Sequence, residues 1–582
     1  MINSGNIMYL VLIETSGNQA FIFSTNKLRE NVGASESTYR ACSQWVLDAV
    51  QTITGKKLWN DDSDVIRTNL LNSELNPPIE TNAHHLVEVI IAASGKAMLL
   101  TRDLSHAKQV IATVTLRALK EAPGLAICGA IEEFDWQDNQ KLPAISRRLH
   151  KKFEVVRSLC PSPDLRFLRL PIVEDCRTSG LPASRLRTEP DQRLMAQSTV
   201  SLAKRRFASV ALRYRLPQLL KTKNKRFARS IRELNELFQE SWLAVVHADG
   251  NGLGQIFINL EEHIEGDKND NRNYIQQFRS FSLALDVCTR QAFIQALDVF
   301  PDEQPNPIPL VPLVLGGDDL TVVCDAKYAL AFTEAFLTAF EQETQKSEVI
   351  RSIAGKAFSI QPGQLSACAG VAIVKPHFPF STAYQLAEEL AKSAKVVKDY
   401  VKKNTQTVPC SAIDFHVLYD TRGTQLEAIR AKQTPDDTTH LYNRPYIVSN
   451  VEQVMERAGE QKNLKEWLDS HHWSELNRRV KALLKKDNEG RRCLPNSQMH
   501  NLREGLFMGR SGADGQYTLI RKRYDEKGVT QVAAIDNSES LFWQDAITEH
   551  YVTGLLDAMD VADFWESSCQ PTNHENCEES ES

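Results

Sequence analysis

The apolar positions of this chain fall into one order that occurs twice. Residues 9–14 form an apolar, β-branched run that predicts a strand. Residues 35–50 carry a helical period. Residues 86–92 and 97–100 are two further strand-like runs, joined by the turn Ala93-Ser94-Gly95-Lys96. A helical stretch at 106–121 and a strand at 124–130 complete the set. This is βαββαβ, the split-βαβ or ferredoxin-like layout. It returns downstream as a strand at 242–248, a polar excursion at 261–273 and a helix at 274–300. A hairpin at 310–324, a helix at 326–345, a strand at 365–374 and a helix at 381–403 follow, with a strand at 412–418 expected to extend the sheet edge. The expected fold class is α+β, built on two ferredoxin-like units.

The rest of the chain divides around this repeat. The first unit is expected over 1–150, a linker region over 151–238, the second unit over 239–425 and a helical C-terminal domain over 426–566. In the last of these, 451–484 reads as two amphipathic helices anchored by Trp467 and Trp473. Residues 485–530 read as turns and charge, and 540–562 as helix again. The tail, 567–582, is acidic and lacks core residues, which predicts disorder.

The candidate chemistry lies in the second unit. Between the two runs of its hairpin stand Gly316, Gly317, Asp318 and Asp319. Alone, this sequence is equally well a polar hairpin turn. A third carboxylate shifts the balance: the strand at 242–248 leads into Asp249, followed by Gly250-Asn251-Gly252-Leu253-Gly254. A metal-dependent phosphoryl-transfer palm places one Asp at a strand end and an acidic pair on the neighbouring hairpin. Adjacent carboxylates repel each other and call for Mg²⁺ or Mn²⁺ between them. Asp249, Asp318 and Asp319 are therefore the expected catalytic and metal-binding residues of a two-metal site.

Gly250, Asn251, Gly252, Gly254, Gly316 and Gly317 are expected to bring backbone close to phosphates. Lys392 and Lys395, at i, i+3 on one helix, are expected to reach the triphosphate, against the plainer reading of a solvated face. His247 shares the Asp249 face of its strand and reads as structural or supporting. The first unit has Glu14-Thr15 and Ala93-Ser94-Gly95-Lys96 at the matching places, so metal chemistry belongs to the second unit alone. The first serves as a partner or as a second nucleotide holder.

Composition bounds the partners. With 68 basic and 74 acidic residues the net charge is −6, so any nucleic-acid contact must be local. Residues 204–232 are basic, with Phe207, Tyr214 and Phe227 interleaved. They read first as a solvated helix face and second as a contact for RNA. No apolar run approaches the roughly 18 residues of a membrane span. Eleven Cys without a signal peptide fit a cytoplasmic protein. Cys160 and Cys176 are too few for a structural zinc site, so no zinc is expected.

The residues of the second unit resemble the large, polymerase-like subunit of type III CRISPR effector complexes. The resemblance rests on His247-Ala248-Asp249-Gly250-Asn251-Gly252-Leu253-Gly254, on Gly316-Gly317-Asp318-Asp319-Leu320 and on Ala369-Gly370-Val371-Ala372-Ile373. It extends to Ala391-Lys392-Ser393-Ala394-Lys395 and Arg444-Pro445-Tyr446, and in the first unit to Ser16-Gly17-Asn18-Gln19 and Asn26-Lys27-Leu28-Arg29-Glu30. The resemblance covers residues 8 to 450. It implies two palm domains, with a remnant of the family's zinc ribbon near Cys176. It also implies an enzyme that joins ATP into a cyclic or linear oligoadenylate messenger in antiphage defence.

Its implied partners are ATP, other CRISPR subunits and guide or target RNA, with a stand-alone or homo-oligomeric form as the alternative. The family often carries an N-terminal HD nuclease domain. Here there is no His-Asp dipeptide, so no such nuclease activity is expected. Cys368 stands where the family commonly has Ser. Two other readings stay open: a non-catalytic palm scaffold within a ribonucleoprotein, and a GTP-using diguanylate-cyclase-type enzyme. The latter's hairpin usually ends Glu-Phe rather than Asp319-Leu320.

Overall fold

A computed structural model describes residues 7–565 apart from 138–140, 189–193, 239–241, 303–305, 420–422, 460, 525–528 and 535–538. The expected tail at 567–582 lies outside the described residues. The first unit consists of strand β1 (Ile7–Ser16), helix α1 (Leu28–Cys42), strands β2 (Val87–Ala93) and β3 (Lys96–Thr101), helix α2 (Leu104–Glu121) and strand β4 (Ala126–Asp135). Its sheet runs β2-β3-β1-β4 and is antiparallel throughout. The helix expected at 35–50 is two helices: α1 starts at Leu28, and a second follows over Gln44–Thr54 after a break at Ser43.

The second unit repeats the arrangement with strand β5 (Leu243–Gly250), helix α3 (Asn271–Ala296), strands β6 (Leu310–Gly316) and β7 (Asp319–Asp325), helix α4 (Ala326–Lys346) and strand β8 (Ala367–Val374). The order β8-β5-β7-β6 matches that of the first sheet position by position. Both sheets are therefore ferredoxin-like palms in a mixed α/β protein. Strand β5 is buried over Leu243–His247 because neighbouring strands flank both its edges. Helix α3 is capped by Asp270, whose carboxylate accepts from the Arg272 N–H at 2.9 Å, and so starts three residues earlier than its apolar period suggests.

Strand β6 ends the sheet. Pro312 sits there with a register shift between Pro312 and Val314, as suits a residue with no N–H to donate. Helix α1 of the first palm covers this strand, and Ser35 donates its hydroxyl to the Leu313 carbonyl. The edge is thereby kept from pairing with another chain.

On the opposite side, helix α5 (Phe380–Ala394) crosses β8 at Gly370. A Cβ there would lie 2.0 Å from the Ala387 carbonyl oxygen, so only glycine admits this packing. Helix α5 ends at Ala394, well short of the expected residue 403. A short turn, Val397–Tyr400, and a hairpin pairing Lys402–Lys403 with Gln406–Thr407 follow it. Strand β9 (Ala412–Val417) runs parallel to β8, and β10 (Tyr446–Ile447) pairs beyond it, so β9 is not the edge.

The C-terminal region is helical, with corrections. Residues 451–484 hold three helices, Val451–Ala458, Lys462–Ser470 and Trp473–Leu484. Residues 485–530, expected to be turns, contain the helices Asn496–Phe507 and Arg510–Tyr524. Residues 540–562 are mostly not helix. Trp543–Gln544 and Tyr551–Val552 join Thr439–His440 in a small sheet, and only Leu555–Val561 is α-helical.

The basic stretch 204–232 is corrected too. It is solvated only in part: Arg206, Arg213, Lys221, Arg229 and Arg232 are exposed, while several other cations are held within the molecule. Lys204 is buried, with its ammonium on the Phe21 carbonyl and 2.7 Å from Ser24 Oγ. Arg205 pairs with Glu30 at 2.8 Å, Arg215 with Glu36 at 2.6 Å, Lys223 with Asp298 at 2.6 Å and Arg226 with Glu233 at 3.0 Å; Lys221 pairs with Asp62.

Candidate functional site

Strand β5 delivers Asp249 at its C-terminal end, and the β6–β7 hairpin delivers Asp318 and Asp319 beside it. Ala248 pairs with Leu320, so the two elements end side by side. One carboxylate oxygen from each Asp lies within 4.8 Å of the others. Two glycines make this possible. Gly317 takes the tight turn with φ +62°, a left-handed conformation costly for other residues. At Gly250 a Cβ would lie 2.8 Å from Asp318 Oδ2 and 2.9 Å from Asp318 Cβ, so the bare backbone leaves room for the carboxylate.

The electrostatics are those of a cation site. Burial and the Asp249 charge push Asp318 up to about 6, with Lys395 pulling the other way. Burial and the charges of Asp318 and Asp249 push Asp319 well above the usual carboxylate range. Carboxylates crowded like this hold protons unless a cation replaces them. All-oxygen donors suit Mg²⁺ or Mn²⁺. The three residues thus fit a divalent metal, with Lys395 as their one ion-paired partner among the described residues. Its ammonium lies on the Asp249 carboxylate and 3.4 Å from the Gly250 carbonyl.

The other predicted residues separate. Lys392 is exposed and pairs with Glu388 at 2.7 Å, one turn back on α5, rather than reaching the carboxylates. It shares with Lys395, Lys398, Lys402 and Arg430 a cavity of about 900 Å³ between the second palm and the C-terminal region. Asn251 points inward. Its amide donates to Ser366 Oγ at 3.0 Å and the Cys410 carbonyl at 3.1 Å, which ties the loop to the sheet. Gly252, at φ +76°, starts the short helix Leu253–Ile258, in which Gly254 has open space around it. His247 shares a hydrogen at 3.1 Å with Thr321 Oγ1 and meets the Tyr384 ring edge-on. Burial lowers its pKa.

Two further cavities flank the carboxylates. One, of about 890 Å³, has a largely apolar wall that includes Phe257, Tyr274 and Phe278, and it opens onto Gly254, Gly317 and Asp318. The other, of about 350 Å³, lies between the palms. Ser16, Gly17 and Asn18 line it from the first palm, and Gly316, Asp319 and Tyr384 from the second. The two hairpin turns meet there: a Cβ on Gly316 would lie 3.5 Å from Ser94 Cβ. In the first palm Glu14 faces Lys96 at 3.6 Å, and Thr15 donates to the Gly95 carbonyl at 3.2 Å.

Tyr384, Thr289 and Asp286 were not singled out from the sequence. Each sits mid-helix on an ordinary-looking face, and no local signal marks it. Cys176 is buried. Burial pushes its thiol up, but the hydroxyls of Ser179 and Thr178 and nearby N–H groups outweigh it and bring it down to about 6; Cys160 is exposed.

Residues 242–406 match the family model of the Cas10/Cmr2 second palm domain, a span holding all three aspartates and Lys395. No curated protein matches the chain. Among solved structures, a type III-B Cmr-beta complex in the apo state aligns over 96% of this chain and 82% of its own at 10% identity, with a TM-score of 0.50. Csm1 of T. onnurineus aligns over 96% and 70% at 14% identity, with a TM-score of 0.44. A Csm1–Csm4 cassette in complex with cA4 aligns over 67% of this chain at 12% identity, with a TM-score of 0.36. This chain spans about half, 52%, of that cassette's matched chain.

Proposed function

We propose that this chain, a Cas10-like palm protein whose second palm matches the Cas10/Cmr2 family, is a metal-dependent nucleotidyltransferase. It joins ATP into a cyclic or linear oligonucleotide messenger of CRISPR-type defence. The observation that carries the reading is the triad of Asp249, Asp318 and Asp319, gathered within 4.8 Å between two cavities.

The residues divide the work. Asp249, Asp318 and Asp319 would hold two divalent cations. When bound, these supply a lowered pKa at an attacking 3′-hydroxyl and neutralise the departing pyrophosphate. The cavity between the palms holds one nucleotide, with Ser16, Gly17 and Asn18 contacting it from the first palm. The apolar-walled cavity at Asp318 holds the base and sugar of the other. Lys395 and Lys398 border the 900 Å³ cavity and offer cations to phosphate groups within reach of Asp249. Burial and the neighbouring Lys395 charge lower the pKa of Lys398, so an anion at that place relieves a repulsion. Assembly with other type III subunits belongs to the same reading. An RNA contact through residues 204–232 would rest on their exposed cations, Arg206, Arg213, Arg229 and Arg232, since much of the remaining charge is spent on internal acids.

The test is incubation of the purified protein with Mg²⁺ or Mn²⁺ and each nucleoside triphosphate, with mass spectrometry of the products. ATP-derived oligonucleotides, absent from a folded Asp318→Ala/Asp319→Ala variant, are expected. Equal product from that variant, or preferential use of GTP, overturns the assignment.

A further inference from the structure

Thr289, on α3, donates its hydroxyl to the Gly317 carbonyl at 2.5 Å. Asp286 lies one turn earlier on the same face of α3. Its carboxylate lies beside the turn, with Oδ1 3.7 Å from where a Cβ on Gly316 would stand, and the Gly317 N–H favours its charged form. Asp286 is in turn held from the other palm: Arg67, on the first-palm helix Ser63–Leu71, reaches Asp286 Oδ2 at 3.3 Å. Arg67 also pairs with Asp64. Asp64 is bound at 2.5 Å by Arg290, which returns the chain of charges to α3 four residues beyond Asp286. Arg290 also donates to Ser63 Oγ at 3.0 Å. Burial pushes the Asp286 carboxyl up, and Arg67 and Arg290 oppose it.

We propose that Asp286 and Thr289 are positioning residues for the acidic turn, and that Arg67 of the first palm holds Asp286 in place. The palm that lacks the carboxylates then helps to set the geometry of the palm that has them. This rests on the reading of the three aspartates as a metal centre. The physical ground is that Asp318 and Asp319 follow directly on Gly316 and Gly317 in a turn with little stiffness of its own. Donor oxygens must be fixed within a few tenths of an ångström to share a cation, and groups outside the ligand set commonly do that fixing. Thr289 is fully buried and its bond goes to the turn itself. The ring of Arg67, Asp64 and Arg290 touches none of the three aspartates.

The test compares Mn²⁺ affinity, by electron paramagnetic resonance, with thermal stability. Thr289→Val keeps the shape but removes the hydroxyl, and Thr289→Ser keeps the hydroxyl. Arg67→Gln removes the charge that holds Asp286. Thr289→Val and Arg67→Gln are expected to weaken Mn²⁺ binding about tenfold. Thr289→Ser is expected to stay within about twofold of the wild type, since it restores the bond. Lowered melting temperatures with unchanged Mn²⁺ affinity in Thr289→Val and Arg67→Gln mean a merely structural role and overturn the proposal. If the wild type and an Asp318→Asn/Asp319→Asn variant bind Mn²⁺ alike, the metal-centre reading itself falls, and this inference with it.

Discussion

The ammonium of Lys395 lies against the carboxylate of Asp249, so the aspartate proposed as a metal ligand and the lysine proposed to meet phosphate are each other's partner. The pair has two consequences of opposite sign. A divalent cation competes with Lys395 for Asp249, whereas a nucleotide's phosphates give Lys395 a new partner. Lys395→Met is therefore expected to bind Mn²⁺ as tightly as the wild type or tighter. The same variant should lose on the order of a hundredfold in product formation, the scale for removing one charge that stabilises a transferring phosphoryl group. A titration of Mn²⁺ and a rate measurement on one preparation check both halves. Loss of both metal affinity and rate would assign Lys395 to the metal site's architecture instead.

Gly250 is the tightest steric point beside the triad. An added methyl would lie 2.3 Å from Leu253 Cδ1 as well as 2.8 Å from Asp318 Oδ2. Leu253 can turn aside, but Asp318 cannot do so without leaving the cation position. Gly250→Ala is expected to lower Mn²⁺ affinity by about tenfold or more, with only a small change in unfolding midpoint. Equal affinity with a large loss of stability would show that the strain is released into the core instead.

What was legible in the sequence follows from range. The acidic turn and the strand leading to Asp249 are local patterns, and their meeting follows from the βαββαβ order. The inward tie of the Asn251 side chain has no local signal, because Ser366 and Cys410, which its amide bonds, lie over a hundred residues away. The basic stretch looked solvent-exposed for the same reason: its acids, among them Glu30, Glu36 and Asp298, come from distant segments. The helices at Asn496–Phe507 and Arg510–Tyr524 were missed because glycines and charges interrupt their apolar positions, Leu502, Leu506, Ala513 and Tyr517. Burial supplies what local propensity does not.

The palms are clasped by Glu88, a fully buried carboxylate on β2. Arg272 donates to it at 2.7 and 2.8 Å and Arg279 at 2.6 Å, both from α3. The Ile79 N–H adds a third type of contact at 3.0 Å. Burial alone would raise the Glu88 pKa, but the two arginines outweigh it and hold it below the usual range. Glu88→Ala leaves two nearly buried guanidiniums without their shared partner. The expected cost is about 3–5 kcal/mol, the scale for breaking a buried ion pair from one side. Denaturant unfolding measures it. A cost below about 1 kcal/mol would mean that Glu80, which also binds Arg272, takes over.

His416, on β9, gives the pH dependence a clear sign. Burial and the guanidiniums of Arg444, Arg430 and Arg503 push its imidazole well below the ordinary 6.5. Its Nδ1 has no hydrogen-bond partner to favour protonation. Asp414, two residues earlier on the same strand, is already bound by Arg430 at 2.7 and 2.8 Å. Because the folded pKa lies below the unfolded one, the unfolded chain takes up a proton as pH falls through 6.5 and the folded chain does not. This residue therefore costs stability progressively below that pH, with a slope approaching about 1.4 kcal/mol per pH unit until the folded pKa is reached. His471, buried and pushed down to about 4, acts in the same direction, so the wild type alone does not isolate His416. The difference between the wild type and His416→Gln does. Unfolding free energies measured between about pH 7 and pH 5 are expected to fall more steeply for the wild type than for the variant. Parallel curves would place the His416 proton equilibrium at its unfolded value and remove the three arginines as its cause.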